Sequence, residues 1–351
     1  MSSKKYVFIT LTSTSIILIL LAIFIVIIDP YFHYHKPLSN ITYTLNNQRY
    51  QNDGIAKHFD YDAIITGTSM TENFKTSEAD KLFNVKSVKL PFEGATFKEI
   101  NNILNKALTN NQNIKIIIRC LDLYKFNIDK DKMQYDDDLY PTYLYDDNVF
   151  NDIKYILNKE IIIESFKSLI KTINNETSTS FDDYSIWYNI VTFSKETVDS
   201  QYNRSVSSDK QNIKEEDYER IHNNIKQNVI DLASKNPNVT FYLFYPPYSI
   251  YYWDNLNQIG MLENQLQQIE YVTSLLLEYP NIHLYSFLDD YETITNLDNY
   301  KDLEHYSEKI NSKILISIKD NKHLITKDNY KEKIQEMKKY YIEFDYNSLF
   351  K

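Results

Sequence analysis

Hydrophobic and polar positions follow three patterns along this chain. From Tyr6 to Ile28 there is no charge, and Ile16 to Ile28 is apolar at every position. As a helix, such a run extends roughly 35 Å at ~1.5 Å per residue, enough to cross a hydrocarbon core of ~30 Å. Lys4 and Lys5 precede it and Asp29-Pro30 ends it. The excess of positive charge before the span predicts a cytoplasmic N-terminus, with everything after Asp29 outside. The alternative is a cleaved signal peptide. The apolar run is longer than such a peptide's usual core of about 7–15 residues, and no small-x-small cleavage site follows, so an uncleaved anchor is the reading adopted. Residues 1–5 are then cytoplasmic and 6–28 the transmembrane anchor.

The second pattern is short apolar runs on consecutive positions, as expected of parallel strands covered on both faces. They predict strands at Asp62–Gly67, Val85–Leu90, Ile114–Leu121, Val239–Tyr245 and Ile282–Phe287. Between them come stretches with helical spacing: Thr96–Leu108 (apolar at Phe97, Ile100, Ile103, Leu104 and Leu108), 221–234, Leu262–Leu277 and Ser307–Ile318. Alternating strands and helices predict an α/β domain over residues 61–320, a parallel sheet of about five strands between helical layers. Sites in such sheets lie at the carboxyl ends of the strands.

The third pattern is the absence of periodicity. Residues 29–60 are expected to form a juxtamembrane stalk. Residues from about 123 to 215 interrupt the alternation and are expected to be a helical or irregular insertion, a cap or partner surface. The tail, 321–351, is expected to be helical over Asp328–Tyr341, with a short strand or clasp after it.

Composition narrows the classes. The 351 residues hold 38 basic and 48 acidic side chains. Removing the two lysines of residues 1–28 from the net charge of −10 leaves −12 for residues 29–351. A chain this acidic repels phosphate backbones, so nucleic-acid binding is not expected. The single cysteine, Cys120, rules out an internal disulfide and a Cys-rich zinc site, and within an apolar strand it reads as a buried inert thiol. The richness in Asn, Ile, Lys and Tyr matches the codon bias of an AT-rich genome.

Glycine changes the picture most. Chains average about 7% glycine, yet this one carries four. Two of them, Gly67 and Gly94, fall just past the first and second predicted strands. Gly67-Thr68-Ser69-Met70 follows the first strand directly. A serine on a tight strand-to-helix turn projects its hydroxyl above the sheet, with its own N–H placed to stabilise an oxyanion. The plainer alternative is a helix N-cap serine. After the fifth strand comes Asp302-Leu303-Glu304-His305. Asp and His three residues apart in a turn can meet, leaving the second ring nitrogen free to act as base toward a serine hydroxyl. The plainer alternative here is a surface turn with incidental charges.

Together the two segments, an early Ser and a late Asp-x-x-His with three strands between, resemble the SGNH (GDSL-like) hydrolases. Gly67-Thr68-Ser69 is similar to the family's first block, with Thr68 where Asp is usual. Pro91-Phe92-Glu93-Gly94 resembles the second, and Asp302-x-x-His305 the last. The resemblance covers residues 62–122 and 239–318. It implies a flavodoxin-like three-layer fold and acyl-ester chemistry without a cofactor. Ser69 would be the nucleophile, His305 the base and Asp302 its orienter, with the N–H groups of Ser69 and Gly94 forming the oxyanion hole. Thr68, Asp122 and Pro247 are candidate lining residues. The family usually places an Asn after the third strand as a further donor, whereas this chain reads Arg119-Cys120-Leu121-Asp122. An ionised Asp122 opposes an oxyanion unless it serves another purpose, such as holding a loop.

Among the family, the membrane-tethered members of bacterial surface-glycan and teichoic-acid modification resemble this chain best. That resemblance implies a bacterial cell-membrane protein with its catalytic domain outside, and a polytopic acyltransferase partner. Two functions stay open: a tethered serine O-acyl esterase or O-acyltransferase on acylated envelope polymer, or a weak or inactive relative serving as a glycan-binding or assembly subunit.

Other candidates carry less. Asp129, Asp131 and Asp136-Asp137-Asp138 lack the calcium-loop pattern, because Met133 falls on a ligand position and no Gly follows. They read as a solvated acidic loop, and no metal is expected. His33 and His35 read as interfacial anchors. His58, His222, His283 and His323 have no companion spacing. Trp187 and Trp253 read as packing residues, with a sugar-binding groove as the alternative. The Asn-x-Ser/Thr sequons at Asn40, Asn175, Asn203 and Asn238 are expected by chance in an Asn-rich chain.

Overall fold

The structure is a computed structural model and describes residues 2–136, 140–146 and 148–350. Its packing divides the chain into two compact units. One joins the N-terminal segment through Phe59 to Tyr135–Ser180, and the other joins Asp60–Gln134 to Phe181–Lys351.

The first unit is helical. Its helices are α1 (Ser3–Ile28), α2 (Gln48–His58), α3 (Ile153–Ile156) and α4 (Lys159–Ile173). Helix α1 is long and apolar enough to span a membrane. It ends at Asp29, which adopts a left-handed conformation (φ 44°) and is fully buried. The Asp29 carboxylate then gathers the chain that follows. Oδ1 accepts from His33 N at 2.9 Å and from the Tyr155 hydroxyl at 2.7 Å, while Oδ2 accepts from Tyr34 N at 2.8 Å and His35 N at 3.0 Å. Four donors on one carboxylate offset the cost of burying it. His33 Nε2 lies 3.1 Å from Asp152 Oδ1. The stretch expected to be an aperiodic stalk thus contains α2, capped by the Asn47 side chain on Tyr50 N.

The second unit is α/β. Its strands are β1 (Ala63–Gly67), β2 (Ser87–Pro91), β3 (Ile116–Cys120), β4 (Thr240–Tyr245), β5 (Ile282–Ser286) and β6 (Leu324–Ile325), in the order β2-β1-β3-β4-β5-β6. The first five pair in parallel, and β6 runs antiparallel to β5. This is the doubly wound order 2-1-3-4-5 with a short antiparallel edge added. Buried Ile, Val, Leu and Phe fill successive strand positions, as strands covered on both faces require. Phe97–Asn110 is fixed by a reciprocal Thr96/Glu99 capping box. The helical stretch Glu215–Lys235 loosens to a wider turn at Lys226–Ile230. Within that turn the Asn228 carbonyl accepts from the buried Arg119 guanidinium of β3 at 2.7 Å. The tail helix spans Tyr330–Glu343, and a short helical turn, Tyr346–Phe350, follows it where a strand or clasp was expected.

Candidate active site

The carboxyl edge of the sheet collects the residues singled out from the sequence. Strand β1 ends at Gly67 with φ 155°. A Cβ built there would lie 2.7 Å from Thr71 Cγ2 and 2.9 Å from Cys120 Cβ, so only glycine lets the chain turn this close to β3. Thr68 follows, buried, and Ser69 begins a single turn of helix.

Ser69 Oγ lies 2.8 Å from His305 Nε2. His305 Nδ1 lies 2.8 Å from Asp302 Oδ2 and 3.0 Å from Oδ1. The backbone N–H groups of Glu304 and His305 also donate to Asp302 Oδ1, at 2.9 and 2.8 Å. Burial pushes the Asp302 carboxyl up, but the His305 ring and these two N–H groups outweigh it and hold the group well below the usual carboxylate range. An ionised Asp302 makes Nδ1 the donor and leaves the Nε2 lone pair to accept from the Ser69 hydroxyl. The turn is itself anchored, since Ser249 N and Oγ both donate to the Leu303 carbonyl, at 3.0 and 2.8 Å.

Gly94 sits after β2 with φ 66°, a conformation that favours glycine. The Lys125 ammonium donates to its carbonyl at 2.9 Å. Among the described residues, neither the Gly94 N–H nor the Ser69 N–H donates to a protein acceptor.

Asp122, after β3, is fully buried and both its oxygens are taken. Oδ2 accepts from Thr68 Oγ1 at 3.0 Å and Oδ1 from the Tyr248 hydroxyl at 2.7 Å. Burial raises its carboxyl, against the pull of those two hydroxyls. Thr68 and Asp122 therefore tie the β1 turn to the ends of β3 and β4, and Asp122 is turned toward a loop. Pro247 is buried, and its carbonyl accepts from the Tyr300 hydroxyl at 2.6 Å.

Two residues near this cluster were not singled out for it from the sequence. Trp187 lies far from every motif, yet its indole Nε1 donates to the Ser69 carbonyl at 3.2 Å. Its ring meets the His305 ring edge-to-face at 5.4 Å, and Lys301 Nζ stands 4.9 Å from its centroid. Asn73 Oδ1 holds its backbone N–H at 3.1 Å. Glu304, next to His305, is the second. Burial raises its carboxyl to about 7, His305 and Lys125 oppose the rise, and Asp122 and Asp302 add to it.

The other candidates sit elsewhere. Trp253 is buried and stacks on Tyr341 at 3.8 Å. Cys120 is buried, which raises its thiol well above the ordinary value. Asp137 and Asp138 lie outside the described residues, and among the described residues no group of three or more His, Cys, Asp or Glu is placed to hold a metal. The open cleft lined by Asp60, Lys86, Lys115 and Asn238 lies at the opposite, amino ends of the strands and contains neither Ser69 nor His305.

No family model and no curated protein matches the chain. Among solved structures it is similar to one from Streptococcus pneumonia described as a "putative platelet activating factor". The identity is 11% and the TM-score 0.37, over 78% of this chain and 90% of that one. A likeness of that extent decides nothing about chemistry or substrate.

Proposed function

We propose that the chain is a membrane-tethered serine O-acyl esterase or O-acyltransferase of SGNH type, acting outside the cell on acylated surface glycan or a related envelope polymer. One observation carries this reading: the continuous relay from Ser69 through His305 to Asp302, closed across 236 residues of sequence at 2.8 Å per link.

In this mechanism Ser69 Oγ attacks the ester carbonyl carbon as its proton passes to His305 Nε2. The carbonyl oxygen becomes an oxyanion held by the N–H groups of Ser69 and Gly94. Collapse breaks the bond to the alcohol, which leaves with the proton from His305, and an acyl group remains on Ser69. Water or a sugar hydroxyl then gives its proton to Nε2 and attacks the acyl carbon, and the released Ser69 oxygen recovers the proton. Asp302 stays ionised throughout and stabilises the imidazolium. Helix α1 holds the enzyme at the membrane, raising its effective concentration toward envelope polymer and toward a polytopic acyltransferase partner.

A second reading, an inactive glycan-binding or assembly subunit, is favoured by one feature: after β3 the chain carries Asp122 and lacks the Asn donor usual in the family it resembles. Treating the detergent-solubilised full chain and its Ser69→Ala variant with a fluorophosphonate separates the two. The first reading expects a mass adduct and acetyl-ester turnover that both vanish in Ser69→Ala. Equal background from both proteins supports the second.

A further inference from the structure

Outside α1, exposed large apolar side chains are concentrated in one place. Eight lie within residues 149–173, and seven are scattered over the rest of the described chain. On α4, Ile163, Phe166, Ile170 and Ile173 recur at intervals of three and four, so they share one face. Ile173 is 77% exposed, and Phe150, ahead of α3, is 90% exposed. The other face of α4 is buried through Ile161, Ser165 and Ser168.

This apolar face continues a second one. Helix α1 packs against α3 and α4 within the same compact unit. Ile25 joins Tyr155 and Ile161 in one buried cluster, and the Phe24 and Phe166 rings lie 4.9 Å apart. Beyond that contact α1 exposes Ile16, Leu20, Ile23 and Ile27. Length then fixes depth. A hydrocarbon core of ~30 Å takes up ~20 helical residues. Counted from Tyr6, the first residue of the uncharged run, its far boundary falls near Ile25. Phe24 lies within that boundary, so the Phe166 ring that touches it meets the acyl chains. Lys159, one turn before Ile163, is exposed at the edge of the stripe, whereas the Lys167 ammonium is paired with Glu164 at 2.7 Å. The Lys159 ammonium suits a lipid phosphate, with its stem on the apolar surface.

We propose that the face of α4 carrying Ile163, Phe166, Ile170 and Ile173 lies in the outer leaflet, as a second, non-spanning lipid contact beside α1. The inference rests on α1 being a membrane span. It makes the first unit a monotopic platform with a transmembrane pin, in which only the pin crosses the bilayer.

The test places nitroxide labels on single introduced cysteines in the full chain, in vesicles of phosphatidylcholine and phosphatidylglycerol. Ile170→Cys and Ile173→Cys probe the stripe, Leu18→Cys the span and Glu216→Cys the aqueous reference. Unsubstituted protein, whose Cys120 is buried, is the labelling blank. Relaxation by oxygen, which partitions into lipid, is compared with relaxation by a soluble nickel chelate. The expected result is lipid-type accessibility at 18, 170 and 173 and water-type accessibility at 216. Water-type accessibility at 170 and 173, with 18 in lipid, overturns the proposal and leaves the span intact. Exclusion of both reagents at 170 and 173 marks a protein contact, such as a second copy of this chain, and also overturns it. A water-exposed Leu18 position removes the span and the proposal together.

Discussion

Trp187 offers the sharpest test of how the candidate site is held. Its indole makes two contacts that can be removed one at a time. Trp187→Phe deletes the Nε1–H that reaches the Ser69 carbonyl but keeps an aromatic ring beside His305. A neutral hydrogen bond contributes about 0.5–1.5 kcal/mol, which corresponds to roughly 2- to 12-fold in rate if all of it is expressed in the transition state. Trp187→Ala removes the edge-to-face contact as well, a further ~0.5–1.5 kcal/mol. The combined loss predicts a fall of about 5- to 150-fold. The assay is the second-order rate of fluorophosphonate labelling of Ser69, which needs no knowledge of the natural substrate. Thermal midpoints of both variants separate a loosened site from a loosened fold. Labelling of Trp187→Ala at the wild-type rate, with an unchanged midpoint, would refute the claim that this residue positions the serine and the imidazole.

Further outcomes follow from the geometry. Asp302→Asn cannot hold the Nδ1–H tautomer as its carboxylate does, so labelling should fall by about 10³–10⁴ with Ser69 still in place; a fall under tenfold would remove Asp302 from the relay. Because Asp302 stays ionised in the fold below its ordinary value of 3.8, the stability it contributes is present above that pH and lost only as pH falls through its lower folded value. Gly67→Ala forces a Cβ against Thr71 and Cys120 and should cost about 1–3 kcal/mol, as overpacking does, read as a lowered thermal midpoint. Glu304 titrates near 7 in the fold against an ordinary 4.5. Between those values the folded chain keeps a proton the unfolded chain has lost, so this group lowers stability as pH rises through that window. Glu304→Gln should gain on wild type in thermal midpoint between pH 4.5 and 7.5, and a gap that does not change with pH would contradict the buried placement.

Much of this architecture is legible in the chain, for identifiable reasons. Parallel strands covered on both faces must be apolar at consecutive positions, so β1 to β5 announce themselves. Strand β6 has two residues, too few for any period to register. Ile250–Gln258 is a helix whose Ile, Tyr, Tyr and Trp carry strand propensity, and tertiary packing overrides it. The helical stretch from Glu215 starts six residues before the apolar spacing indicates, and its signal was electrostatic: Glu215, Glu216 and Asp217 suit a helix N-terminus. At the candidate site, Ser69, Asp302 and His305 can be picked out because each belongs to a local motif. Trp187 has none, since it reaches Ser69 across 118 residues. Nor can a sequence say which way Asp122 points. Only the hydroxyls of Thr68 and Tyr248, converging from two other strand ends, fix that.

The Asp29 clasp has a consequence for how the protein is made. Three of its four donors come from the next six residues, but the fourth is the Tyr155 hydroxyl, 126 residues later. Emerging at roughly 5–20 residues per second, the chain waits on the order of 6–25 s before that partner arrives. Meanwhile Asp60–Gln134, with the first three strands of the other unit, has already been produced. The first unit can close once Ser180 has emerged, whereas the second needs β4 to β6, which follow it. The order of synthesis thus lets the unit that contains α1 close while half of the sheet is still unpaired, and a chaperone acting on this protein would find its client in that half-built sheet.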